Sequence, residues 1–506
     1  MKSLFDLPAL AIEIDGQALA AANLAALEEA RVVQALSLPA QCELTFRNPE
    51  AGFVEAAIGS HGQSLSVRTP SSGGMLFQGE VTGAEASYGP AHANVLRLRG
   101  YDLLHRLRKR QPARVHVETT AAELASELAS SAGLTAVAGG DGPLRKRILQ
   151  YRQSDYDLLL EALEDCGLYA TVRGANLHIL SLAGGGDPIP LRLGEELLEV
   201  HVTVSGEPAC RAVEAAGWNT CRAEAHTGRA ATSRVGRTAS AAAPPTRFST
   251  DGQRRLTGQL ADDDRQAEAL AQAELDRRTA REVSLRGLAE GNAALVPGAR
   301  IAVSGVSNSL AGNYVLASVT HRIERTRGFT SEISTEPPQP LPRHPAASMA
   351  LGMVTRVNDP EGMGRVRASL PAYGNLETDW MNVVSPGAGA GKGFALLPDV
   401  GDQVLILFAR DSASHGVVLG GLYGAAHSPE PTVESGAVMR YALRTHGGQR
   451  LTFDDHAKSL RMEDAAGNCV EFSPDRLLLH SSVPIEIEAI HQPVTIRGKQ
   501  IHFEEA

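Results

Sequence analysis

The feature that most constrains the fold is the C-terminal segment 434–506. Its apolar residues recur at every second position in short runs that Gly, Pro or Asp interrupts; the pairs are Leu477/Leu479, Ile485/Ile487, Val494/Ile496 and Ile501/Phe503. This period is typical of β-strands, and no helical period occurs. Each strand would supply only roughly two to four inward residues, and small isolated sheets are marginally stable. The sequence therefore predicts that several copies wind around one axis and bury these residues together.

Upstream, two proline-rich stretches mark domain boundaries. Residues 337–342 read Pro-Pro-Gln-Pro-Leu-Pro, a stiff linker, and residues 428–431 read Ser-Pro-Glu-Pro. A chain of 506 residues suggests roughly three or four domains. We therefore predict domains at 1–340, 346–427 and 434–506.

The first domain is predicted to be strand-rich with three helices. Predicted strands are Ala11–Ile14, two runs between Arg31 and Arg47 broken at Pro39, a hairpin of Met75–Val81 with Asn94–Arg99, Leu168–Arg173 and Asn176–Leu180. Predicted helices are 119–132, 154–165 and 262–281. In the second helix Ser154 and Asp157 are spaced as a capping box, and Gly167 supplies the stop. Residues 222–250, rich in Ala, Thr, Ser and Arg, are predicted to form a long surface loop or an extended arm.

The sequence pattern changes at 350–425, where short predicted strands are separated by Gly, Pro and Asp, as in a small barrel. The predicted fold class is therefore mainly β: an α+β first domain, a small barrel and a tail of intertwined strands.

Composition argues against several functional classes. The formal net charge of −10 is unlike that of a general nucleic-acid binder, so the basic clusters 106–110 and 145–147 are predicted to be solvated or ion-paired. Five scattered cysteines without a CxxC motif are typical of reduced thiols in a protein made in the cytoplasm. No signal peptide follows Met1, and no apolar run approaches the ~18 residues that span a bilayer.

No catalytic motif survives inspection. The glycine-rich run 387–393 has three residues where a phosphate loop needs four, and Gly393 replaces the magnesium-binding hydroxyl, so we predict a barrel loop. Metalloprotease and nucleophile-elbow motifs are absent. The acids Glu161, Glu164 and Asp165 are predicted to form a solvated helix face. The sequence predicts no catalytic residue and no cofactor.

Three tail histidines, His480, His491 and His502, recur every eleven residues. On a threefold axis each could bring three imidazoles to one metal. The alternation counts against this, because His502 lies between Ile501 and Phe503 and points away from their face. We predict exposed or hydrogen-bonded histidines and no metal, and an axial metal stays open.

Residues 351–424 carry the most specific pattern. They contain an Asn-Asp-Pro-Glu-Gly-Met-Gly-Arg-Val turn at 358–366, a Leu-Pro-Asp-Val-Gly-Asp-Gln-Val run at 397–404 and Val-Leu-Gly-Gly-Leu-Tyr at 418–423. In order and spacing they resemble the oligonucleotide/oligosaccharide-binding (OB) barrel of the VgrG family and of phage central spike proteins. The resemblance implies a structural role for Asp359, Pro360, Gly364, Arg365, Val366, Trp380, Gly401, Asp402, Val404 and Gly420.

Other segments extend the resemblance over nearly the whole chain. Phe-Gln-Gly-Glu-Val at 77–81, Gly-Tyr-Asp-Leu-Leu at 100–104 and Gly-Asn-Tyr at 312–314 resemble the hub domain, also called the late control protein D domain, with two related subdomains. The tail opening at 444–455 is similar to the segment that leads into the spike's β-prism.

The resemblance implies a homotrimeric spike and hub of a contractile injection system. The hub would meet the inner-tube initiator and baseplate proteins, the barrels would form a collar, and the tails would wind into a β-helical needle that touches the target membrane transiently. A PAAR-like tip protein would dock on Val494, Ile496, Ile501 and Phe503, and cargo effectors are further partners. The barrel's name does not imply a nucleic-acid ligand, because fold does not fix function.

The resemblance leaves alternatives. The short gap at 426–440 and the chain end at Ala506 leave no room for an inserted lysozyme or terminal effector, so no enzyme is expected. A tail shorter than in many type VI secretion relatives favours a phage-tail-like particle acting outside the cell; a type VI secretion spike and a phage tail spike are the alternatives. Two rivals come from other classes: a cell-wall-degrading hydrolase with an OB barrel, and a monomeric carbohydrate-binding module.

Overall fold

The computed structural model describes residues 10–69, 74–90, 94–219, 222–242, 252–340, 347–409, 415–424 and 432–504. The chain divides into two compact units, Met1–Gly421 and Leu422–Ala506. Both are built mainly from strands, which confirms the predicted mainly-β class. None of the described helices is long and apolar enough to cross a membrane.

The first unit is organised around an 11-stranded antiparallel sheet. In spatial order its strands are Leu197–Val204, Val283–Glu290, Gly328–Ser334, Ser318–Glu324, Leu27–Ala35, Leu38–Arg47, Asn94–Tyr101, Gly74–Tyr88, Ser64–Thr69, Ala11–Ile14 and Gln17–Ala18. Alternate residues are buried in two cores. Leu44, Phe46, Leu65, Leu96 and Leu98 are completely buried in the first, and the strands Leu197–Val204, Val283–Glu290 and Gly328–Ser334 contribute to the second.

Two predictions fall on this sheet. The hairpin is confirmed, with Gly74–Tyr88 paired to Asn94–Tyr101. The strand break predicted at Pro39 was wrong by two residues. The chain turns at Ser37, whose φ is +60°, and Pro39 lies inside the strand Leu38–Arg47.

A helical subdomain follows, built from helices Ala121–Ala132 and Asp155–Glu164. Both begin with capping boxes, and the predicted one is confirmed: Ser154 Oγ accepts from the Asp157 amide at 3.2 Å. The helices pack on a sheet of Thr135–Ala138, Asn176–Ser181 and Leu168–Arg173. Leu168–Arg173 and Asn176–Ser181 form the predicted pair of strands. Gly167, with φ +67°, makes the turn into Leu168–Arg173.

The prediction of a surface loop over 222–250 was wrong for part of its length. Glu224–Ala230 is a strand that pairs with Ala212–Asn219, which in turn pairs with Gln253–Leu260. Helix Asp264–Glu282 covers this sheet, close to its predicted bounds. The helix approaches so closely that a Cβ at Gly228 would lie 2.0 Å from the Glu268 nitrogen. Residues 243–251 lie outside the described part of the chain.

The remaining elements of the first unit before the barrel, in what we call the hub region (1–340), are short. A three-stranded sheet contains Gly185–Arg192, Ala299–Ser304 and Gly312–Val315. A two-stranded ribbon pairs Arg114–Thr119 with Arg145–Gln150. The other helices of the unit are Ala21–Ala26, Ala51–Ile58 and the 3-10 segments Leu103–Lys109 and Pro371–Tyr373.

A six-stranded sheet closes the first unit. In spatial order its strands are Leu376–Glu377, Arg367–Leu370, Ser348–Arg356, Gln403–Phe408, Gly416–Leu422 and Asn382–Val383. Its core contains the fully buried Val366, Leu370, Val404, Ile406 and Phe408. This is the predicted small barrel. The barrel belongs to the same compact unit as the residues before it, and the three predicted domain limits stay a prediction.

The second unit contains a five-stranded antiparallel meander. Its strands are Arg440–Arg444, Arg450–Asp454, Ser459–Glu463, Cys469–Phe472 and Leu477–His480, preceded by the hairpin of Val433–Glu434 and Ala437–Val438. The single chain does not form the strands that were predicted around Ile485/Ile487, Val494/Ile496 and Ile501/Phe503. Residues 481–504 contain no strand. This segment is mostly exposed, so its backbone groups are open to water or to the strands of another chain.

Candidate assembly surfaces

One face of the tail meander is wholly apolar. Its register aligns two rows of five side chains across all five strands: Tyr441, Phe453, Leu460, Phe472 and Leu477 in one row, and Leu443, Leu451, Met462, Val470 and Leu479 in the other. Because successive residues of a strand point to opposite faces, all ten lie on the same side. We call this set the apolar tail face.

Seven of the ten residues of the apolar tail face are exposed in the single chain, and Leu451, Leu460 and Val470 are partly buried. Tyr441 is 56% exposed and Leu477 is 65% exposed, and the row of Leu443 to Leu479 lines an open groove that Ile485 also reaches. A continuous apolar surface of this kind is uncommon on a soluble monomer and marks an interaction site.

The opposite face of the meander is polar and internally paired. Arg440 Nε donates to Asp454 at 2.6 Å, and Arg461 Nη1 donates to Glu471 at 2.7 Å. Arg461 and Arg450 both donate to Glu463 and hold the pKa of its carboxyl below the ordinary value. Polar on one side and apolar on the other, the sheet is patterned to lie between water and a core.

The predicted tip-docking residues follow this sheet. Val494, Ile496 and Ile501 are each about half exposed or more, and Phe503 is 90% exposed. All four lie in the segment without strands, and the structure forms no cluster of buried side chains from them. Their assignment to a tip protein stays a prediction.

The barrel motif centres on an ion pair between Asp359 and Arg365. The two side chains are 2% and 5% exposed, and Arg365 donates through Nε at 2.9 Å and Nη2 at 2.7 Å to the two carboxylate oxygens. Asp359 also accepts from the Glu361 and Met363 amides at 3.1 and 2.9 Å. The Arg365 guanidinium holds the pKa of Asp359 well below its usual range. The pair fixes the turn before the strand at Arg367.

The other motif residues surround this turn and the next one. Val366 and Val404 are completely buried in the barrel core. Gly364 and Gly401 have φ of +72° and +91°, a region that favours glycine. The remaining members are polar or at the surface: the Asp402 carboxylate accepts from the Asp399 amide, the Trp380 ring lies 4.9 Å from the Arg367 guanidinium, Pro360 is exposed, and Gly420 has open space beside it.

The segments that were considered and rejected as catalytic motifs lie in a loop and in polar contacts within the hub. The glycine-rich run 387–393 is a loop closed by a bridge between Gly389 and Lys392. The prediction of a solvated face for Glu161, Glu164 and Asp165 was wrong. All three are partly buried against polar partners: Asp165 pairs with Arg145 at 2.5 Å, Glu164 with Arg277 at 3.5 Å, and Glu161 accepts from Gln153.

The basic clusters and the histidines carry no assembled site. In the first cluster Arg106 pairs with Glu80 and Arg110 with Asp155. His480 ends the last tail strand, and His491 and His502 are exposed. Among the residues that the structure describes, no three His, Cys, Asp or Glu side chains form a metal-binding group.

Sequence reasoning identified only Leu477 and Leu479 of the apolar tail face. The other eight residues carry the same signal, because each strand of the meander places two apolar residues two positions apart. Their pairs are Tyr441/Leu443, Leu451/Phe453, Leu460/Met462 and Val470/Phe472. The polar partners between them, such as Arg461 between Leu460 and Met462, complete the alternation.

Two family models match the chain. The model of the phage tail baseplate hub (GPD) matches residues 33–326, and that of the type VI secretion system/phage-baseplate injector OB domain matches residues 350–423. These matches define a class, the hub-and-spike proteins of phage and type VI secretion baseplates. The chain belongs to the phage tail baseplate hub family, whose members are structural baseplate and spike proteins.

Solved structures share the fold. A Francisella PdpA–VgrG complex aligns with a TM-score of 0.56 at 11% identity, covering 94% of this chain and 80% of that one. An Escherichia coli component of the type VI secretion system, similar to T4 tail proteins gp27 and gp5, aligns at 0.52 and 12% identity, covering 81% and 99%. A 43 kDa tail protein of a Shewanella oneidensis prophage aligns at 0.50 and 14% identity, covering 64% and 97%. No functionally curated protein matches the chain by sequence.

The predicted recognition is thereby confirmed: the chain is a baseplate hub and spike protein of the phage or type VI secretion type. Identities of 11–14% support the shared fold and leave the particular injection system open.

Proposed function

We propose that three copies of this chain form the spike that closes the inner tube of an injection machine and pierces the target envelope when the sheath contracts. The apolar tail face carries this proposal. Ten aligned apolar side chains on one side of a sheet, with ion pairs on the other, require a cover that a single tail does not contain.

The energetics favour burial against other copies. At about 25 cal/mol per Å² of apolar surface, covering the exposed parts of ten such side chains gives on the order of 10 kcal/mol per chain. This gain is set against the entropy cost of association, which is of similar size, so the part of the extended segment before residue 494 must contribute too. In a closed ring each chain has a neighbour on both sides, which gives that segment strands to pair with. Three is the number that the family resemblance implies.

The roles along the chain follow this arrangement. The hub region 1–340 meets the inner-tube initiator and the baseplate, the barrel 346–427 forms a collar, and the tails from 434 form the β-helical needle. The blunt needle end exposes Ile501 and Phe503 and docks a PAAR-like tip protein, with cargo effectors as further partners. The spike works outside the cell, in a phage-tail-like particle by preference over a type VI secretion system or a phage.

We further propose that no residue of the chain is catalytic, because the acids that sequence reasoning considered are ion-paired or hydrogen-bonded within the hub. The test is a turnover assay of the pure protein on peptidoglycan. No release of fragments is expected, whereas hydrolysis that is lost on changing one acid would establish the hydrolase alternative.

Adjacent substitutions on the two faces of the first tail strand test the apolar tail face. Leu443 lies on the apolar face, and its exposed neighbour Ala442 lies on the polar face. Leu443→Asp should dissociate the assembly in native mass spectrometry, because a carboxylate cannot be buried there unpaired. Ala442→Asp adds the same charge and should leave it intact. Equal effects from both variants would contradict the proposal.

A further inference from the structure

A two-stranded ribbon, Arg114–Thr119 paired with Arg145–Gln150, contributes to two hydrophobic cores at once. Neighbouring residues of its second strand face opposite sides. Ile148 is buried in the core of the helical subdomain, whereas Leu149, 5% exposed, is buried in the core of the barrel. Val115, the partner of Leu149 on the other strand, packs against the barrel as well.

The barrel-facing side of the ribbon continues on both sides of Leu149. Arg147 Nη2 donates to the Glu377 carbonyl at 3.0 Å. The Tyr151 ring meets Tyr373 edge-on at 5.0 Å between centroids and lies 5.9 Å from the completely buried Phe408. The hub region therefore supplies side chains that fill the interior of the barrel.

The hub-facing side is fixed by polar contacts. Arg114 Nη2 donates to Asp155 at 2.8 Å, and Gln150 Nε2 donates to the same carboxylate oxygen at 2.9 Å. Asp155 is completely buried at the first turn of its helix. Two residues along the same strand from Arg114, His116 Nδ1 lies 2.8 Å from Glu127 of helix Ala121–Ala132. The ribbon cannot rotate relative to the helices without breaking these contacts, of which those to the Asp155 carboxylate are buried.

Two further polar contacts join hub and barrel residues. Arg222 and Glu361 form an exposed ion pair at 3.3 Å, which adds little stability. The largely buried His415 Nε2 lies 3.3 Å from Asp262 Oδ1.

We propose that this ribbon is the joint through which hub and barrel fold and move as one body, with Leu149 and Tyr151 as the hub residues that complete the barrel core. The barrel is then not an independent collar tethered by the linker at 337–342. A force applied to the hub reaches the barrel through buried side chains. The joint lies within one chain and does not depend on the proposed trimer.

Hydrogen exchange of the full-length chain tests the joint with two adjacent substitutions. Leu149→Ala should speed exchange of the barrel strand Gln403–Phe408 by roughly tenfold or more, because it opens a cavity in the barrel core. The matched control Ile148→Ala removes a neighbouring aliphatic side chain from the other core. It should speed exchange in helix Asp155–Glu164 first, with a smaller change in the barrel.

A milder variant keeps the test decisive if Leu149→Ala does not fold. Tyr151→Leu keeps an apolar side chain but removes the ring contacts with Tyr373 and Phe408 and the hydroxyl contact with Ser348, and it should raise barrel exchange roughly threefold or more. Barrel exchange unchanged from wild type in the folded Leu149→Ala or Tyr151→Leu protein would overturn the inference. An identical exchange pattern for the Leu149 and Ile148 variants would overturn it as well.

Discussion

Replacing Asp359 should destabilise the barrel more than any exposed charge in the same turn. In Asp359→Ala, the buried guanidinium of Arg365 loses hydrogen bonds of 2.9 and 2.7 Å, and the amides of Glu361 and Met363 lose their acceptor. Removing one partner of a buried ion pair costs about 3–5 kcal/mol, because the remaining charge stays desolvated. We expect a loss of this size in the free energy of unfolding of the first unit, measured by chemical denaturation.

Glu361→Gln is the matched control. Glu361 lies two residues away and also contacts Arg365, at 3.2 Å, but it is exposed. Exposed ion pairs contribute about 0–1 kcal/mol, so this variant should remain within that range of wild type. A cost below about 1 kcal/mol for Asp359→Ala, or equal costs for both variants, would refute the reasoning.

The pH dependence of the same variant has a defined sign. Arg365 depresses the pKa of Asp359 in the folded state below the value of about 3.9 in the unfolded chain. The stability that the carboxylate contributes is therefore fully present above about pH 4 and is lost as the pH falls through the depressed folded value. The difference in the free energy of unfolding between wild type and Asp359→Ala should be constant from about pH 5 to 8 and should shrink in stronger acid.

Three further predictions concern other parts of the chain. Gly228→Ala should lower the melting temperature of the first unit, since its Cβ would lie 2.0 Å from the Glu268 nitrogen, whereas Gly185→Ala, with no atom within 4 Å, should be near neutral; similar shifts would contradict the close packing. Burial raises the pKa of Asp102 to about 7, so the stability from this group is fully present below about pH 4 and lost as the pH rises through 7. Chemical denaturation from pH 4 to 8 should show the free energy of unfolding declining in wild type and changing less in Asp102→Asn. Parallel pH profiles for the two proteins would exclude this contribution of Asp102. Deleting 494–506 should keep the assembly but abolish capture of a tip protein in a pull-down, and unchanged capture would refute the docking assignment.

Local signals in the sequence predicted much of the hub and barrel. Ser154 and Asp157 gave the start of a helix because a capping box involves only neighbouring residues. The turn around Asp359 was recognised from its order and spacing, although the sequence did not reveal that Asp359 and Arg365 form a buried pair.

Features that depend on distant residues were not predicted. Glu224–Ala230 is a strand because it pairs with Ala212–Asn219 and lies under a helix, while its composition is typical of a loop. Ile148 and Leu149 read as one apolar pair, and only the fold shows that they belong to different cores. The apolar tail face was visible as alternation in each strand, but its continuity depends on the register between strands.

The mass of the purified full-length protein in solution tests the central claim most directly. The apolar tail face calls for other copies to cover it, and we predict a single species of three times the 53.4 kDa chain mass in native mass spectrometry. That species should dissociate in Leu443→Asp and persist in Ala442→Asp. A stable monomer or dimer of the wild-type chain at micromolar concentration would contradict the account.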